Sequence, residues 1–138
     1  MREADLRQLQ ALLVHAALDL APLPGLDRVL DFPDLAALRE REERMMSTEN
    51  LVQPHLLGDT VRLVAPERVA KYAADSGSFP YLRFLPPEQH EGRVGLTLQL
   101  LVGFDDVEPL PLGALVANFE QAPDGKWIAV EPSAALAY

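Results

Sequence analysis

His55 and Asp59 are separated by three residues in an apolar loop beside Gly58. An imidazole and a carboxylate at that distance can supply a base and the group that orients it. The plainer reading, which the sequence favours, is a loop histidine bonded to backbone. In Pro86-Pro87-Glu88-Gln89-His90-Glu91-Gly92, two carboxylates and an imidazole are ligand types for a divalent metal. One short loop supplies too few ligands, so turn residues without a metal are expected there. His15 falls opposite the apolar stripe of the first helix; if that face is surface it is merely solvated, and the sequence offers it no partner.

A second set of residues suits a pocket. Phe79, Tyr81, Phe84 and Trp127 are expected to gather on adjoining strands, as core or as an aromatic lining for an apolar small molecule. Glu42 falls on the apolar face of the expected second helix, where a carboxylate must find a partner or have its pKa raised. It is either a pocket acid or a rim residue neutralised by a neighbour such as Arg39. On the pocket reading the ligand-binding residues are His55, Tyr72, Tyr81, Glu42 and Trp127.

Other chemistry lacks its parts. The chain has no cysteine, so disulfides, thiolate zinc sites, iron–sulfur clusters and cysteine nucleophiles are excluded. There is no glycine-rich phosphate loop, no Gly-x-Ser-x-Gly elbow, no His-Glu-x-x-His and no calcium loop. No cofactor and no catalytic residue is assigned, and the balance leans away from an enzyme.

The formal net charge is −9, unevenly spread. Residues 1–84 carry thirteen acids and ten bases; residues 85–138 carry eight acids and two bases. The second part would repel a phosphate backbone, and no basic stripe with interleaved aromatics appears, so nucleic acid is not expected as a partner. No apolar stretch approaches the ~20 residues that cross a bilayer, and the first residues do not read as a signal peptide. A soluble, cytoplasmic protein is expected. Its arginines outnumber its lysines and it holds twelve prolines, which suggests a GC-rich bacterial genome.

A chain of 138 residues can bury a core in one domain, here 1–138. Leu6, Leu9, Leu13, Ala16 and Leu20 repeat at helical spacing, and Leu12, Val14 and Leu18 widen the stripe, so a helix over 3–20 is covered on more than one side. A second helix is expected after Phe32-Pro33, with Leu35, Leu38, Met45 and Met46 on one face and a charged run, Arg39 to Arg44, between them. Thr60–Val64 reads as a short strand. Pro66 opens a third helix with Val69, Tyr72 and Ala73 inward and Gly77 as its stop. Strands follow at Phe79–Leu85, at Val94–Val102 with strict alternation, at Leu115–Gln121 and at Trp127–Glu131, the last two joined by a Pro123-Asp124-Gly125-Lys126 turn and the last ended by Pro132. Ser133–Tyr138 is a tail that can pack back on the body. Helices early and strands late give an α+β fold of order ααβαββββ, with N-terminal helices on a curved, mostly antiparallel sheet.

That order, with Val116-Ala117-Asn118-Phe119-Glu120 before Pro123-Asp124-Gly125-Lys126-Trp127-Ile128, resembles the nuclear-transport-factor-2-like fold, also called cystatin-like or ketosteroid-isomerase-like. The resemblance implies a cone with a pocket between sheet and helices, and homodimers through the convex sheet face. It carries over no catalysis, because the isomerases' base, tyrosine and second acid find no match here. Three functions are in play. The leading one is a non-catalytic binding or assembly protein, a homodimer or bound to a protein partner. The second is a small-molecule pocket protein with weak isomerase- or hydrolase-like chemistry. The third is an acidic inhibitor or mimic using Asp105-Asp106-Val107-Glu108.

Overall fold

In the computed structural model, which describes residues 1–138, the chain runs α1 (Glu3–Asp19), α2 (Leu35–Arg39), β1 (Met45–Ser47), β2 (Arg62–Val64), α3 (Val69–Ser76), β3 (Phe79–Phe84), β4 (Glu88–His90), β5 (Arg93–Gly103), β6 (Leu110–Gln121) and β7 (Trp127–Ala137). Tight 3-10 turns sit at Pro54–Leu57 and Pro66–Arg68. The fold is α+β: three helices and one seven-stranded sheet of order β2-β1-β3-β5-β6-β7, with β4 paired to β5 beyond the end of β3. Pairing is antiparallel except at one end, where β1 runs parallel to both β2 and β3. No helix is long and apolar enough to cross a membrane.

Alternation in β5 divides the two faces. Val94, Leu96, Leu98 and Leu100 point into the main core, where they meet Leu9, Leu13 and Leu38 of α1 and α2. Leu101, past a register shift between Leu100 and Leu101, points the other way. It joins Met45, Val64, Phe79, Tyr81 and the α3 residues Val69 and Ala73 in a smaller second core. Helices therefore cover both faces, but α3 has only eight residues and shields one corner.

Four expectations need correction. The second helix stops at Arg39, and Met45-Met46-Ser47 is a strand buried at every position. Met45 serves the second core and Met46 the first, which an inner strand permits and a one-sided helix does not. The charged run from Arg39 to Arg44 is the solvated turn between them. Glu42 is consequently exposed in that turn and not on a helical apolar face, and Arg39 instead pairs with Asp31 and donates to the Ala17 carbonyl at 2.8 Å.

Secondly, the loop around His90 contains β4, whose three residues are all exposed. Thirdly, Pro132 does not end the last strand, which continues to Ala137. Proline is tolerated because β7 is the sheet edge and the ladder shifts register there, between Val116 and Asn118. The Ser133 hydroxyl takes over the ladder's work, accepting the Asn118 N–H at 3.1 Å and donating to the Val130 carbonyl at 2.7 Å. Lastly, the four aromatics do not gather. Phe79 and Tyr81 lie in the second core, Phe84 faces the first, and Trp127 is on β7, beyond β5 and β6 from β3.

Candidate functional site

His55 lies on the 3-10 turn after Gln53, exposed, as is Asp59, and no hydrogen bond joins them. His90 is exposed on β4, and His15 pairs with Asp19 at 2.7 Å on the outer face of α1. Nowhere do three His, Asp or Glu side chains form a metal-holding group. Of the five pocket residues, only Tyr72, Tyr81 and Glu42 come near one another, around α3; His55 and Trp127 stand apart.

The α3 site is an open cleft of about 240 Å³ between the helix and the edge strand β2. Met45, Val64 and Tyr72 give it an apolar floor, and Arg62, Arg68, Lys71 and Asp75 a charged rim. Glu43 accepts a hydrogen bond from the Arg62 guanidinium, which raises the Arg62 pKa and places it over the Tyr72 ring at 5.5 Å, a cation–π position. Tyr72 meets Phe79 edge-on at 4.7 Å, and Phe79 in turn touches Tyr81. Burial raises the Tyr81 pKa, and the nearby Glu49 adds to this while Arg83 opposes it. Glu42 lines a shallower hollow on the other side of Tyr72. No nucleophile paired with a base lies in either place.

Trp127 borders a second, more polar cleft of about 500 Å³ beside the start of α1, with Arg2, His90, Arg93 and Gln121. Its Nε1 is buried and has no hydrogen-bond partner. The space between α1 and the sheet is filled by Leu9, Leu13, Phe84, Leu96, Leu98 and Phe119, all buried. That is where a cone's pocket would open.

The largest feature not anticipated residue by residue is the sheet face beyond α3. Arg83, Gln99, Ala114 and Leu136 form one row across it; Thr97, Val116 and Ala134 form the next; Gly95, Asn118 and Val130 a third. Except for Ala114, these side chains are half-buried or exposed. Sequence reading also passed over Gln10. It is buried at the 6–10–13 positions of the α1 stripe, donates to the Asn50 carbonyl at 2.8 Å and accepts the Val52 N–H at 3.0 Å. An amide at a stripe position was the available signal.

The chain matches no protein-family model, no curated protein and no solved structure.

Proposed function

We propose that this chain is a non-catalytic binding or assembly protein that pairs with a second copy of itself. The carrying observation is the half-bare sheet. Helices that cover a sheet on both faces finish a domain, whereas here α3 shields one corner, and β5, β6 and β7 present three rows of mixed aliphatic and polar side chains, most of them half-buried or exposed, beyond it. The space between α1 and the sheet, by contrast, is packed with Leu and Phe. The closing hairpin of β6 and β7 supports placing the chain with the nuclear-transport-factor-2-like cones, and the Arg- and Pro-rich composition supports a bacterial source; we place it in the cytoplasm.

Light scattering coupled to size exclusion, run from about 1 to 100 μM to span ordinary dissociation constants, tests the reading. A dimer is expected, and a monomer at every concentration overturns it. The runner-up, a small-molecule binder, draws on the unpartnered Trp127 Nε1–H. Native mass spectrometry showing a retained small molecule, lost in Trp127→Phe, would favour that reading instead.

A further inference from the structure

We infer that two copies join edge to edge, pairing the second half of β7 antiparallel with itself about a two-fold axis at Leu136; this rests on the reading above that the chain pairs with itself, and it places the contact at the sheet edge and not on the bare face.

The edge strand is treated differently along its length. From Ala129 to Ser133 the outward groups are covered. Ala129 donates its N–H to the Pro24 carbonyl at 2.6 Å, and Gly25 sits so close to Ala129 that a side chain there would strike its carbonyl. Arg28 reaches over from the same loop to bond the Glu131 carboxylate at 2.9 Å and the Ser133 carbonyl at 2.6 Å. The Glu131 carboxylate also accepts the Ser133 N–H at 3.2 Å. From Ala129 to Ser133 the edge is closed.

Beyond Ser133 the covering stops. Tyr138 turns its N–H inward to the Leu112 carbonyl at 3.0 Å, and Leu136 and Ala134 face Ala114 and Val116. Alternation of the ladder then points the N–H and C=O of Ala135 and Ala137 off the sheet. Natural edges are protected by charge, proline or a bulge. Residues 133–138 read Ser-Ala-Ala-Leu-Ala-Tyr, with no ionisable side chain but that of the tyrosine. Leu136 is 45% exposed and Tyr138 67%, with Leu110 and Val107 exposed on the neighbouring strand and its approach.

Those free groups set the register in which a second copy can pair. In an antiparallel pair, outward residues must oppose outward residues. Centring the axis on Ala135 would require Ser133 to bond Ala137 of the other copy, and the Ser133 groups are already used. Centring it on Leu136 pairs Ala135 with Ala137 twice over and matches each outward group between Ala134 and Tyr138. Leu136 then opposes its own copy in a non-hydrogen-bonded position, where side chains approach closest. The contact is isologous, so it closes at two copies. The result is one continuous fourteen-strand sheet whose bare face runs across both.

The absence of cysteine makes the test direct. Leu136→Cys would place two thiols across the axis with Cα atoms about 4.5 Å apart, within disulfide range. Leu56, exposed on the 3-10 turn far along the chain, gives the control Leu56→Cys. Mild oxidation of the full chain is expected to link Leu136→Cys at least tenfold faster than the control (about 1.4 kcal/mol in the barrier). Ala137→Pro, which removes one outward donor per copy at an exposed residue, should raise the dimer dissociation constant about tenfold with the circular dichroism unchanged. A wild-type monomer overturns both this inference and the assembly reading. A dimer that links no faster through Leu136→Cys than through the control, and is broken instead by Val116→Arg on the bare face, overturns the edge pairing and leaves assembly standing.

Discussion

Gln10 ties three parts of the molecule together through one buried amide. Its Nε2 donates to the Asn50 carbonyl, its Oε1 accepts from Val52, and the Asn50 side chain passes the link on to the Phe84 carbonyl of β3 at 2.8 Å. Leucine in its place would keep the volume and take the buried partner from two part-buried backbone groups. Each such orphan costs about 1–3 kcal/mol, partly offset by the apolar gain. Gln10→Leu is therefore expected to lose about 2–3 kcal/mol, read as a lower urea midpoint at unchanged slope; an unchanged midpoint would mean the turn finds other partners. Tyr81 makes a prediction about pH. Burial holds its phenol neutral to higher pH than in the unfolded chain, where it ionises near pH 10. The folded state is thus fully favoured below that pH and loses ground as pH rises toward the folded-state pKa. Tyr81→Phe should lose less stability than the wild type between about pH 9 and pH 11, with urea melts at each pH as the check. Parallel losses in the two proteins would refute the assignment.

At the level of elements, legibility followed length. β5 shows four alternating apolar positions on one face, and its residues 94–102 were readable as they stand. β1 has three residues, too few for any period to show, and both of its methionines are buried on opposite faces, so their spacing from Leu35 and Leu38 imitated a helix. β4 is as short and wholly exposed. The extension of β7 past Pro132 depends on its being an edge, a fact of topology that no local pattern carries. The same limit explains the site residues. Tyr72 and Tyr81 were seen as aromatic, but that Phe79 joins them while Phe84 and Trp127 do not is decided by which face each strand presents. Gly113 carries the element-scale prediction. A methyl there would lie 2.6 Å from both the Phe32 ring and the Leu136 carbonyl, so β6 can approach the loop before α2 only without a side chain. Gly113→Ala is expected to cost about 1–3 kcal/mol by overpacking, and Gly113→Ala with Phe32→Leu should recover part of it if the ring is the obstacle. A thermal melt of both variants tells a steric clash from a backbone preference, since the second would not be rescued.

For the whole molecule, charge and assembly pull in opposite directions. Each copy carries −9, and residues 85–138, which hold the bare face and the open edge, have four times as many acids as bases. Two copies meeting there gain apolar burial and backbone hydrogen bonds while bringing like charges together. The attractive part is short-ranged and barely feels salt; the repulsion acts over the Debye length, about 14 Å at 0.05 M and about 4 Å at 0.5 M. Screening must then favour the pair, so the dimer dissociation constant should fall as salt rises over that range, measured by sedimentation at fixed pH. An acidic mimic gripping a basic surface behaves the other way, since salt weakens contacts between opposite charges. A dimer that dissociates on adding salt would show that its interface is built from ion pairs, and it would move the contact away from the edge at Leu136 toward the charged turn at Arg41 and Glu42 and the neighbouring Arg62 of β2.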